Sequence, residues 1–147
     1  MKEFKQLGAY GLVIKDGKIL LIKKFRGPYD GKLDLPGGTI EFQDRPEDAL
    51  KREFLEETGI NIKEYTLFDS DSVCLSWIHN NQQIRTHHIG IFYLIKEYTN
   101  EIKNDIKIDS KNDDSLGADF YEIDKLKKEK LSDIAILELS KLGYKLK

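Results

Sequence analysis

Residues 52 to 60 read REFLEETGI, which places Glu53, Glu56 and Glu57 within five positions. On a helix, residues three and four apart are surface neighbours, so the three carboxylates project from one patch about a turn long. Like charges at that spacing destabilise a helix by roughly 0.2–0.5 kcal/mol per pair. A position in the C-terminal half adds an unfavourable macrodipole term. A divalent cation would offset both. An all-oxygen cluster selects a hard ion, Mg²⁺ with Mn²⁺ as a substitute, and Mg²⁺ is usually held by a few carboxylates together with substrate phosphates. Taken alone, the run also fits a solvated face, because charged residues make up 34% of the chain. The surrounding elements decide between the two readings.

Those elements are legible in part. LGAYGLVI and KILLIKKF read as β-runs joined by Asp16-Gly17, a strong hairpin signal. A Gly- and Pro-rich loop follows, RGPYDGKLDLPGG, and then TIEF as a short strand. A helix is expected over about 46–58. Asp44 precedes it, Pro46 and Glu47 stand just inside it in the manner of a capping box, and Gly59 stands at its C′ position. Ala49, Leu50 and Phe54 form its apolar stripe. EYTLFDSDSVCLSWI and QQIRTHHIGIFYLIKEY read as strands, with Asn80-Asn81 turning between them. Residues 99 to 115 read as a polar loop, GADFYEI as a last strand, and KLSDIAILELSKLG as a closing helix with Ile134, Leu137 and Leu142 in the core. Mixed strands and helices of this order imply an α/β (α+β) sandwich with a mixed sheet covered on its faces.

With its flanks, the glutamate run becomes GTIEFQDRPEDALKREFLEETGI: Gly38, five residues, Asp44, seven residues, then Arg52 through Ile60. This closely resembles the Nudix box, G-x5-E-x7-R-E-U-x-E-E-x-G-U, where U is a bulky aliphatic residue. Many fixed positions at fixed spacing make the signal specific. Two positions depart from the pattern, and one free position departs from the family's usual residue. Asp44 replaces a Glu, Phe54 stands at an aliphatic position, and Gln43 stands where members often have Gly. The order of elements also matches, so the resemblance implies one Nudix-type α/β/α sandwich over residues 1–147, with a mid-chain catalytic helix and a C-terminal helix.

The resemblance implies hydrolysis of a diphosphate linkage in a nucleotide by cation-activated water. Glu53, Glu56 and Glu57 match the family's metal ligands, and Glu56 or Glu57 is the expected proton acceptor. Arg52 matches an arginine that orients a box glutamate, a task suited to its planar fork. Asp44 either joins that polar network or caps the helix. Gly37 and Gly38 shape the loop that positions the helix. Some members add a loop acid, for which Glu97, Glu101, Asp113 and Asp114 are candidates. Asp114, at the mouth of the last strand, is the preferred one.

Other groups read as structural. His87 and His88 alternate on a strand, which spoils a shared zinc site, and a surface or packing role is expected of them ahead of a contact of one with substrate. Trp77 and Tyr93 fit the core better than a base-stacking role. Cys74 lies in an apolar run and is expected to be buried. With one cysteine, no disulfide framework forms within the chain, and no apolar run suits a leader or a membrane span. A cytoplasmic protein is expected. A net charge of −2 gives no footprint for nucleic acid or an anionic membrane, and the resemblance implies a small-molecule nucleotide as partner and a homodimer. The substrate stays open between a nucleoside triphosphate and a diphosphate conjugate such as ADP-ribose or a nucleotide sugar. The alternative function is a non-catalytic Nudix-like nucleotide-binding or regulatory domain. An isoprenoid diphosphate isomerase on the same scaffold would need a catalytic Cys, and Cys74 has no supporting motif.

Overall fold

The computed structural model describes residues 1–102 and 115–147 of the chain. Eight strands and two helices follow in the order β1 (Lys2–Leu12), β2 (Ile14–Lys15), β3 (Lys18–Lys24), β4 (Leu33–Asp34), β5 (Gly37–Thr39), α1 (Pro46–Thr58), β6 (Asn61–His79), β7 (Gln82–Thr99), β8 (Ser115–Glu122) and α2 (Asp133–Lys141). The preferred loop acid, Asp114, and its neighbour Asp113 lie outside the described residues.

One sheet runs β5-β1-β7-β6 and is mixed, because β1 and β7 pair in parallel from Lys2↔Ile84 to Leu12↔Leu94. The second is antiparallel and centred on β3, which pairs with β2, β4 and β8. The Asp16-Gly17 turn forms as expected, with both residues at positive φ, 53° and 75°. Such angles match the twist of a two-residue hairpin. The hairpin is short, however. It joins only Ile14↔Ile19 and Lys15↔Lys18, while β1 leaves for the other sheet. Asn80 and Asn81, at φ 49° and 61°, make the second turn of this kind and close the long β6–β7 ribbon.

Period-two alternation sorts the core onto two faces. On one face Ala9, Leu20, Ile22 and Tyr93 pack with Ala49, Leu50 and Phe54 of α1. On the other, Tyr10, Leu12, Ile19, Leu21 and Phe92 pack with Ile134, Ala135 and Leu139 of α2. Each helix therefore covers one face, which is the α/β/α layering expected from the sequence. No helix among the described residues is long and apolar enough to cross a membrane.

Four local expectations need correction. The strand expected at TIEF begins earlier, in the glycine pair itself, and ends at Thr39, after which the chain turns toward α1. The capping residue of α1 is Arg45, whose backbone N–H donates to the Asp48 carboxylate at 3.2 Å, so Asp44 is released for another partner. Leu137 is only half-buried, and the inward face of α2 carries Ile134, Ala135, Glu138 and Leu139. Cys74 is exposed, because β6 is an edge strand and its alternate residues face solvent.

Candidate active site

The catalytic helix of the sequence reading forms over Pro46–Thr58 and ends at Gly59, whose φ of 81° suits glycine and whose N–H donates to the Leu55 carbonyl at 3.0 Å. Phe54 is fully buried. That burial rotates the helix so that Glu53 and Glu57, four residues apart, flank β5. Glu57 is buried at 6% exposure, and its Oε1 accepts the Gly37 N–H at 2.8 Å. A side chain at Gly38 would place its Cβ 2.6 Å from the Glu53 carboxyl carbon. Gly37 has a φ of 140°, an arrangement that non-glycine residues rarely adopt. The glycine pair thus lets the helix lay two carboxylates against a strand backbone.

A cavity of about 160 Å³ opens beside them. Glu53, Glu57, Gly37, Gly38 and Thr39 form one wall, and Tyr10, Lys24, Tyr29, Asp34 and His88 line the other. Glu56 is exposed and falls in an adjoining depression with Thr39, Glu41, Arg52 and Glu53. Glu53 therefore borders both hollows, with Glu57 on the inner side and Glu56 on the outer side.

Arg52 organises the approach to this cluster. Its Nη1 donates to Asp44 Oδ2 at 2.9 Å, its Nη2 donates to the Thr39 carbonyl at 3.3 Å, and Nη2 stands 4.0 Å from Glu53 Oε1. Asp44 also accepts the Glu41 N–H at 3.0 Å. That backbone hydrogen bond, followed by the Arg52 guanidinium, holds the Asp44 carboxyl below the usual range. The shorter Asp serves here by folding back on its own turn. Of the two roles open to Asp44, the structure places it in the arginine network.

The far wall was largely missed by sequence reasoning. His88 is almost fully buried, with Tyr10 Oη 2.6 Å from Nε2 and Tyr29 Oη 2.8 Å from Nδ1. Burial, with the Lys24 charge as a second cause, pushes its pKa down to about 4. Asp34 accepts the Leu35 N–H at 2.8 Å and the Ser132 hydroxyl at 2.6 Å, and Ser132 caps α2. The second helix is thereby tied to the cavity. His87 points the other way and meets Ser72 Oγ at 3.0 Å, as strand alternation requires. Glu97 is exposed and borders a different surface hollow, with Lys15 and Lys63, and Glu101 is exposed as well. Tyr93 is in the core, and Trp77 is half-buried with its Nε1–H donating to Thr86 at 2.9 Å.

The donor set suits a hard divalent cation. Among the described residues, no three His, Cys, Asp or Glu side chains are grouped so as to hold a metal ion by themselves. Glu53 and Glu57 instead present carboxylates along one open wall, with Glu56 adjacent. A pair of carboxylates on an open wall fits a hard divalent cation that keeps positions for water and phosphate oxygens.

A helix that covers one face of the strands and sets carboxylates against a Gly-Gly strand, with a second helix on the opposite face, defines the class of protein. The chain belongs to the Nudix family: the model described as NUDIX domain matches residues 5–139. The ADP-ribose pyrophosphatase of Methanocaldococcus jannaschii is 33% identical over 118 residues, which cover 80% of this chain and 62% of that one. The 8-oxo-dGTP diphosphatase of Proteus vulgaris is 34% identical over 73 residues, covering 49% of this chain and 57% of that one. The matched region thus spans about three-fifths of the length of these relatives. The crystal structure of the MutT NUDIX hydrolase from Burkholderia pseudomallei superposes with a TM-score of 0.71 at 26% identity, covering 95% of this chain and 98% of that one.

Proposed function

We propose that the protein is a Mg²⁺-dependent pyrophosphohydrolase that cleaves the diphosphate linkage of a nucleotide. The observation that carries this reading is the Glu57 carboxylate, docked on the Gly37 N–H at 2.8 Å beside Glu53 at the mouth of one polar cavity. Glu53 and Glu57 give that cavity a negative wall, which repels a diphosphate unless a cation is bound. The relatives named as an ADP-ribose pyrophosphatase and an 8-oxo-dGTP diphosphatase support the same substrate class. A divalent cation on the glutamates supplies charge neutralisation and water activation. Glu53 and Glu57 hold it, and Glu56 or Glu57 takes the proton of the attacking water. Arg52 steadies Glu53 from outside through Asp44 and Thr39. Lys24, on the opposite wall, binds the anionic part of the substrate.

The test is incubation with Mg²⁺ and a panel of nucleoside triphosphates, ADP-ribose, nucleotide sugars and dinucleoside polyphosphates, with products identified by mass. Cleavage is expected for at least one member. Glu57→Gln should lower its rate by about 10²–10⁴-fold with the fold intact, the range of a lost acid–base group. Glu56→Gln distinguishes the two candidate proton acceptors. No cleavage of any member by a chain that still binds Mg²⁺ would replace this reading with that of a nucleotide-binding domain.

A further inference from the structure

Most polar side chains that line the cavity are already held by the protein. Tyr10 and Tyr29 meet the two ring nitrogens of His88, Asp34 takes the Leu35 N–H and the Ser132 hydroxyl, and Glu57 takes the Gly37 N–H. Gln6 differs. It is half-buried in the same lining, and its carboxamide has no hydrogen-bond partner among the described residues. A primary amide carries two donor hydrogens and an acceptor oxygen in one plane. With none of them engaged by the protein, that capacity remains for a molecule that enters the cavity.

The place of Gln6 on β1 decides which part of a ligand it meets. Gln6, Gly8 and Tyr10 share one face of the strand. Tyr10 pairs with Gly37, whose N–H holds Glu57, and so stands at the glutamate end. Gln6 pairs with His88 of β7. Between them, a Cβ on Gly8 would collide with the Tyr10 hydroxyl, so the phenol lies over Gly8 and floors the stretch between the two ends. Four residues of strand separate Gln6 from Tyr10, about 13 Å at the usual rise of a strand. A diphosphate held at the glutamate end stops short of Gln6 over that span. In a nucleotide the sugar is bonded to the phosphate and the base to the sugar, so the base is the part that reaches it.

We propose that Gln6 is a specificity-determining residue: its carboxamide hydrogen-bonds the polar edge of the nucleobase while the diphosphate lies at Glu53 and Glu57. The proposal rests on the hydrolase reading for the placing of the diphosphate. A base that offers a donor beside an acceptor satisfies the amide with two bonds. One good bidentate pair of this kind separates bases by roughly 5- to 150-fold. A base without that pattern leaves the half-buried amide unpaired.

The first arm compares the full chain with Gln6→Leu, which removes the polar atoms of the side chain. With Mg²⁺ present, kcat/KM is measured for nucleoside triphosphates and nucleoside diphosphate sugars of adenine, guanine, cytosine and uracil. Within the series that is cleaved, the parent should prefer its best base over its worst by about tenfold or more. The variant should shrink that spread to about twofold by raising KM for the preferred base with kcat kept, the mark of a contact made equally in ground and transition states. An unchanged spread, a parent with no spread, or an equal fall in kcat for every base overturns the proposal. The second arm needs no turnover. The side-chain amide signals of Gln6, identified by their absence from Gln6→Leu, are followed by proton–nitrogen NMR as AMP, GMP, CMP, UMP or ribose 5-phosphate is added with Mg²⁺. They should shift with at least one nucleotide and stay in place with ribose 5-phosphate. No shift with any nucleotide, or an equal shift with ribose 5-phosphate, overturns the assignment of Gln6 to the base. A parent that cleaves nothing while these signals follow a nucleotide sinks the hydrolase reading and keeps Gln6 as a base-binding residue. Cleavage with an unchanged spread sinks the role of Gln6 alone.

Discussion

The ring of Phe54 fills the space that Gly11 leaves open: a Cβ on Gly11 would lie 2.5 Å from Phe54 Cζ and 2.6 Å from Cε1. An aromatic residue at the aliphatic position of the box is thus matched by a missing side chain on β1, and the catalytic helix keeps its distance from the sheet. Gly11→Ala should overpack this contact and destabilise the fold by about 1–3 kcal/mol. Phe54→Leu should restore most of the loss when the two are combined, although alone it leaves a void. Thermal denaturation of the four chains of this cycle measures the coupling. Purely additive effects would show that the two residues do not share the space.

The turn between β5 and α1 carries a backbone penalty at Gln43. This exposed residue sits at a φ of 70°, between the Asp44 N–H, which donates to the Glu41 carbonyl at 2.9 Å, and the Glu41 N–H, which returns to Asp44. A side chain in that region costs roughly 1–2 kcal/mol, and glycine gives back roughly 0.5–1 through its looser unfolded chain. Gln43→Gly should therefore stabilise the protein by between zero and about 1.5 kcal/mol, a rise in Tm of at most about 3–6 °C for a chain of this size. A lowered Tm would mean that the Gln43 side chain makes an offsetting contact.

Local signals were the readable part of this chain. Pro46 and Gly59 bound α1 because their chemistry acts within one turn, and the Glu53–Glu57 spacing gives its meaning as soon as a helix is granted. The cavity's far wall obeys no local rule. Tyr10 and His88 are 78 residues apart and meet only because β1 and β7 pair in parallel, a register that no pattern in either segment encodes. His88 could be assigned to one face and His87 to the other by alternation, but which face holds the cavity depends on the rest of the fold. Cys74 fails for a related reason. Its apolar neighbours Val73 and Leu75 face inward, whereas the residue between them on an edge strand meets solvent. Asp44 was legible as important but ambiguous in role, since the same residue type caps helices and grips arginine.

The helical phase at α2 buries a carboxyl group where Leu137 was expected. Glu138 is fully buried, and neither carboxyl oxygen has a hydrogen-bond partner among the described residues. Burial first, and the Asp69 carboxyl beside it second, push its pKa from 4.5 up to about 8. Lys141 lies on the same helix, but its ammonium is engaged by Asp69 at 2.5 Å and Asp71 at 2.6 Å, and it offsets the shift only in part. The linkage has a definite sign. Between pH 4.5 and about 8, folded Glu138 holds a proton that the unfolded chain has released, so this group makes stability fall as pH rises through the window. Below the window both states are protonated, and above it both are ionised, so the slope vanishes at either end. Glu138→Gln keeps the shape and cannot ionise. Its Tm relative to the parent should climb steadily as pH is raised through the window and level off above it. Because α2 is pinned by Ser132 to Asp34 in the cavity wall, the parent's activity should also sag at the alkaline end before the variant's does. Parallel Tm curves for the two proteins across the window would show that Glu138 is ionised in the folded state throughout.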